Sequence, residues 1–154
     1  MAGIHPDILS EAAERLDQVN ERIRKACQDA GRDPSEITLV GACKRQPVEK
    51  IAASLLAGLT DLGENYVQAA QTTQSQLGSC LEAAAQESEP PLYRWRMIGH
   101  LQRNKAGAAV EAFDLIDSVD SLKLLQTLDK KSETAGKRLE IGIQVNLSGE
   151  TSKS

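Results

Sequence analysis

The run Ile37-Thr38-Leu39-Val40-Gly41-Ala42-Cys43 carries no charge and ends on Lys44. A short apolar run without alternation suits a strand covered on both faces, as in a parallel sheet flanked by helices. Parallel neighbours need a crossover connection, usually a helix. The run therefore directs the chain toward α/β architectures. It also delivers Lys44 to the carboxyl end of a strand, where such folds place their chemistry. Partial desolvation there would favour the neutral amine and Schiff-base formation. Strand-end lysines more often snorkel into water, and the run alone leaves both readings open.

The rest of the chain follows the same plan. Ile8, Ala12, Leu16, Val19, Ile23 and Cys27 form one apolar stripe and predict a helix over 7–30, stopped by Gly31 and Pro34. Pro47 suits a first helical turn, followed by an inward stripe of Val48, Ile51, Ala52, Leu55 and Leu56 that Gly58 ends. A strand over 59–63 leads into a helix over 66–86 rich in Ala and Gln, and then a solvated loop over 87–91. Residues 93–98 alternate as a third strand, and a short helix is expected over 103–112. Residues 115–119 read as a fourth strand. Asp120 or Ser121 then caps a helix holding Leu122, Leu124, Leu125 and Leu128, closed by Gly136. A fifth strand spans 139–146, and 147–154 is a polar loop.

One helix followed by βαβαβαβαβ, without a linker or a composition break, predicts a single α/β domain over 1–154 with about five parallel strands. Two architectures compete, a doubly wound open sheet and a section of a (β/α)₈ barrel of TIM type. No GxGxxG or GxxxxGK[ST] loop follows the first strand, which weakens the nucleotide-binding versions of the open sheet. A closed barrel takes about 250 residues, so five strands would form only part of one.

Charge and cysteines exclude several function classes. The net charge is -4, and the one short basic patch, Lys130-Lys131, is followed by Glu133, so nothing resembles a nucleic-acid footprint. Cys27, Cys43 and Cys80 are odd in number and far apart, without the spacing of a metal site. They predict no disulfide, no metal and a reducing, cytoplasmic setting. The first residues, with Asp7 and no basic or apolar stretch, predict no leader peptide, and no apolar run reaches the ~20 residues of a membrane span.

Four strand ends carry polar groups: Lys44; Glu64 with Asn65; His100 with Gln102 and Asn104; and Asn146. Each alone is ordinary turn chemistry. In a barrel they would line one rim, at the face where barrels bind ligands, and such a lumen suits a flat cofactor.

Those residues carry a family resemblance. Leu39-Val40-Gly41-Ala42-Cys43-Lys44, Gly63-Glu64-Asn65-Tyr66-Val67-Gln68, Trp95-Arg96-Met97-Ile98-Gly99-His100-Leu101-Gln102, and Gln144-Val145-Asn146 with Glu150 and Lys153 resemble, in order, the signatures of the pyridoxal phosphate homeostasis proteins. These are single-domain relatives of the alanine racemase N-terminal barrel. The resemblance implies that Lys44 carries pyridoxal 5'-phosphate as a Schiff base. It implies that Asn65, His100 and Gln102 lie in the cofactor pocket, with packing behind the pocket and loop hydrogen bonding as their alternative role. Glu64 would orient the Asn65 turn. The implied role is vitamin B6 homeostasis without a turnover reaction, with enzymes awaiting the cofactor as partners and a monomeric full-length protein.

The chain departs from the family pattern at Cys43, where Ser is common, at Arg45 for Thr, at Arg96 for His and at Met97 for Phe. Cys43 reads as a small buried residue. Arg96 lies on the strand face opposite Trp95 and Met97 and so needs the rim or a partner charge. Family members continue for roughly a further half-length, in keeping with the ~250-residue barrel. The last three β/α units and their phosphate clamp have no counterpart in 1–154. Edges near 37–43 and 139–145 are then expected to stay unpaired, which favours instability, aggregation or edge pairing. Two other functions follow from that reading: a truncated regulatory or interaction fragment that holds no cofactor, or an amino-acid racemase. Racemisation needs a second base on the opposite cofactor face, and neither Tyr66 nor Tyr93 is convincingly placed to supply it.

Overall fold

The computed structural model describes residues 4–85 and 89–147. Helix α1, Pro6–Ala30, begins with proline in its first turn, where the missing N–H has no partner to lose. The Asp7 N–H donates to His5 Nδ1 at 3.3 Å. Gly31, at φ 64, ends the helix in the left-handed region. Arg32 N–H reaches the Cys27 carbonyl at 2.9 Å and Gly31 N–H the Gln28 carbonyl at 3.2 Å, a Schellman closure. A 3₁₀ turn, Pro34–Glu36, follows. The Asp33 carboxylate caps it by accepting the Ser35 N–H at 2.9 Å, and that bond holds the Asp33 carboxyl below its usual range.

From there strands and helices alternate. They are β1 Val40–Ala42, α2 Val48–Leu56, β2 Asp61–Glu64, α3 Val67–Ala85 and β3 Arg94–Met97. A 3₁₀ turn, Arg103–Lys105, leads into α4 Ala106–Ala112, and β4 Leu115–Val119, α5 Leu122–Ala135 and β5 Glu140–Ile143 complete the order. Ser121 caps α5 by accepting the Leu124 N–H, and Gly136 at φ 60 ends it.

The five strands form one sheet in the order β1-β2-β3-β4-β5, with parallel pairing between β1 and β2, β3 and β4, and β4 and β5. That order separates the two architectures. A doubly wound sheet reverses its strand order at a switch point, whereas a (β/α)₈ barrel adds each strand beside the last. The sheet has the barrel's sequence of β/α units.

Two compact units make up the chain, residues 1–63 with 71–94, and residues 64–70 with 95–154. In the first, Cys27 of α1, Ile51, Ala52 and Leu55 of α2, Leu62 of β2, and Leu77 and Leu81 of α3 are buried. In the second, Trp95 and Met97 of β3, Ala109 and Val110 of α4, Ile116 and Val119 of β4, and Leu124 and Leu128 of α5 are buried. Phe113 follows α4 and has no exposed surface. The next residue locks β3 beside β4: Asp114 N–H donates to the Trp95 carbonyl at 2.8 Å, and the Asp114 carboxylate accepts the Trp95 N–H at 2.8 Å.

The first strand is shorter than the run 37–43 suggests. Its register pairs Val40 with Asp61 and Ala42 with Gly63. Continued backward, that register would set Ile37 against Gly58, which at φ 108 is still turning out of α2. No strand exists there to pair with. Burial on both faces also fails for β1, whose residues are half-buried or exposed because it ends the strand order. It holds for β2, where all four residues are buried. The fifth strand stops at Ile143 rather than 146. On this other end of the order Ile143 is 71% exposed.

Phe113→Ala is expected to lower the unfolding free energy by about 3–5 kcal/mol. Urea titration followed by circular dichroism should show a lower midpoint at unchanged slope; a midpoint within error of the parent would remove Phe113 from the core's essential members.

Candidate functional site

In the first unit, β1 ends at Ala42, and Cys43 N–H continues the ladder by donating to the Gly63 carbonyl at 2.8 Å. Gln46 N–H then donates to the Cys43 carbonyl at 3.0 Å. That bond closes a turn with Lys44 and Arg45 at its centre. Arg45 sits at φ 59, in the left-handed region. An L-residue enters that region at a cost of roughly 1–2 kcal/mol. Lys44 is exposed rather than partly desolvated. The reason is local: the strand stops two residues before it, and the turn lifts it clear of the layer that buries Cys43. Cys43 is a small buried residue as expected, its thiol donating to the Gly41 carbonyl at 3.5 Å.

In the second unit the polar strand ends meet. Glu64 is 2% exposed, and its carboxylate accepts the Asn65 N–H at 2.6 Å. Ile98 N–H donates to the Glu64 carbonyl at 3.0 Å. Gly99 lies against Asn65 so closely that a Cβ would stand 2.5 Å from the Asn65 carbonyl oxygen and 2.7 Å from its Cα. The Ser118 hydroxyl donates to the Gly99 carbonyl at 2.5 Å. Glu64 therefore orients the Asn65 turn, as the sequence suggests.

His100 Nδ1 lies 3.1 Å from the Asp120 carboxylate, and the imidazole is otherwise exposed. Asp120, read from sequence as a candidate cap for α5, serves the imidazole instead, and Ser121 does the capping. A cavity of about 310 Å³ brings Asn65, His100 and Gln102 together with Tyr66 and Lys105 over an apolar floor that includes Met97 and Leu101. Lys105 was not a sequence candidate. Its only signal is position, three residues after Gln102 on the same 3₁₀ turn. Asn104 is exposed and outside the cavity wall, Asn146 is exposed beyond β5, and Glu150 and Lys153 lie outside the described residues.

Arg96 has the partner charge it needs. Its Nε and Nη2 reach the two Asp117 oxygens at 3.0 and 2.8 Å, a bidentate pair between β3 and β4. Gly142 of β5 leaves room for it, since a Cβ there would stand 3.1 Å from the Asp117 Cα and 3.4 Å from Oδ1. In the first unit buried Asp61 is bonded by Arg94 Nη2 at 2.9 Å and by the Thr60 hydroxyl at 2.8 Å. Burial, and secondarily the charge of Glu49, push the Cys80 thiol up, so it offers no ready thiolate. Among the described residues no His, Cys, Asp and Glu cluster could hold a metal ion, and no helix is long and apolar enough to cross a membrane.

No protein-family model matches the chain. It is 38% identical over 146 residues to a pyridoxal phosphate homeostasis protein of Pseudomonas aeruginosa, covering 95% of this chain and 59% of that protein. The protein of the same name from Escherichia coli is 34% identical over 146 residues, again with 95% and 59% covered. The chain thus spans about three-fifths of the length of these curated relatives. Among solved structures it resembles PipY of Synechococcus elongatus with pyridoxal phosphate bound, at TM-score 0.71 and 32% identity, covering 90% of this chain and 56% of PipY. The crystal structure of an unknown protein from Bifidobacterium adolescentis matches at TM-score 0.83 and 28% identity, covering all of this chain and 62% of the other.

Gly99→Ala should destabilise the chain by about 1–3 kcal/mol, because the new methyl meets backbone rather than a yielding side chain. Thermal denaturation checks this, and an unchanged midpoint would mean that the β3 loop and Asn65 separate freely.

Proposed function

We propose, since this chain belongs to the family of the pyridoxal phosphate homeostasis proteins, that it binds pyridoxal 5'-phosphate as a Schiff base on Lys44 and holds the cofactor for delivery rather than turning over a substrate. The observation that carries this reading is Lys44 itself: an exposed primary amine in the turn after a parallel strand, at the end of the first family signature. Pyridoxal 5'-phosphate would bring an aldehyde, and Lys44 would hold it through its side-chain amine. The exposed turn gives the amine room to react. The same exposure leaves the linkage open to water and to incoming amines, which suits a carrier that gives up its cargo.

Asn65, His100 and Gln102 are proposed as the pocket contacts. Asn65 has a fixed backbone from which to direct its amide, and His100 has a ring nitrogen left over from its bond with Asp120. The recipients would be enzymes awaiting their cofactor. A cytoplasmic setting goes with Cys27, Cys43 and Cys80, which form no disulfide among the described residues.

Incubation with pyridoxal 5'-phosphate, borohydride reduction and peptide mapping tests the assignment. A single stable adduct on Lys44 that Lys44→Ala abolishes is the expected result. Adducts spread over the surface lysines, or an unchanged pattern in Lys44→Ala, would overturn it.

A further inference from the structure

The cavity of the second unit has a one-sided charge. Its wall holds Lys105, His100, Asn65, Gln102 and the Tyr66 ring, and no carboxylate lines it. That is unusual in a chain whose net charge is -4 and whose acids outnumber its lysines and arginines by 22 to 18. The cavity of the first unit, about 220 Å³, is lined by Arg15 and Lys50 but also by Glu11, which pairs with Arg15 at 2.6 Å, so it mixes both signs of charge where the second holds only one.

Lys105 carries that charge. Its backbone is fixed by its N–H bond to the Gln102 carbonyl at 2.9 Å, and its side chain is half-buried. Among the described residues its ammonium has no ion-pair partner. A half-buried cation without a counterion attracts an anion more strongly than a solvated one, because less water screens it. Around it stand groups that can donate to an oxyanion, the Asn65 and Gln102 amides, and beside them the His100 ring, which Asp120 holds through Nδ1. Met97 and Leu101 give the floor an apolar surface for the rest of a small molecule.

We infer that this cavity is an oxyanion subsite, with Lys105 as its principal anchor, for a small metabolite bearing a phosphate or carboxylate group. The inference rests on reading Asn65, His100 and Gln102 as ligand-facing, but not on the Schiff base at Lys44. Lys105 binds its ligand without covalent chemistry, so Lys44→Ala leaves the subsite intact.

The test is a titration of the ¹⁵N-labelled full chain with inorganic phosphate and, separately, with acetate, at constant ionic strength, read by amide chemical shifts. Saturable shifts centred on Asn65, His100, Gln102 and Lys105 are expected for at least one anion, and the tighter one identifies the headgroup class. Lys105→Gln should weaken that binding at least about tenfold, the loss of a charge-assisted hydrogen bond. Lys105→Arg should stay within about threefold, since it keeps the charge and the donors. Absence of saturable shifts with both anions, shifts centred elsewhere on the wild-type chain, or equal affinity in Lys105→Gln would each overturn the subsite. Lys44 labelling without an anion response sinks this inference alone. An anion response that persists in Lys44→Ala, with no Lys44 labelling in the parent, sinks only the Schiff-base reading.

Discussion

The backbone of Asn65 lies against the bare Cα of Gly99, and the cavity wall of the second unit depends on that contact. With no side chain between them, the turn after β2 and the turn after β3 share one set of polar groups. The Glu64 carbonyl receives Ile98, the Glu64 carboxylate receives Asn65, and the Gly99 carbonyl receives Ser118. Each bond contributes only about 1 kcal/mol net, but leaving a buried member unmatched costs more than the bond supplies. The turns therefore hold one arrangement. The side chains they present are positioned by main-chain satisfaction before any ligand arrives.

Much of the fold was legible because its signals are local. The stripe from Ile8 to Cys27, the left-handed glycines 31 and 136 and the Ser121 cap each act within a few residues, and each stands where the sequence suggests. The strand order was legible only as a choice between two architectures, since periodicity does not say which neighbour a strand takes. The run 37–43 misled because a strand needs a partner at every position, and the partner's limit was set by Gly58, some twenty residues away.

The candidate residues divide in the same way. Lys44, Asn65, His100 and Gln102 stand out as candidates because each follows a strand and sits in a motif, and the second unit's cavity gathers the last three. The exposure of Lys44 was not visible, because it depends on where β1 stops. Lys105 was hidden among polar residues that read as an ordinary helix start, and only the cavity gives it meaning. Arg96 was half-legible. Its need for a partner followed from strand alternation, but Asp117 as that partner follows from the register of β3 on β4, which sets Met97 against Ile116.

Gly142 extends that register to a third strand. A Cβ at 142 would stand 3.1 Å from the Asp117 Cα and 3.2 Å from its carbonyl oxygen, backbone atoms that are there whatever side chain position 117 carries. In terms of inheritance, a larger residue at 142 is thus a demand on the spacing of β4 and β5, by a few tenths of an ångström, rather than on the identity of the ion pair. Its acceptance in a lineage turns on whether the last strand can move, and the Arg96–Asp117 pair can be exchanged without opening that position.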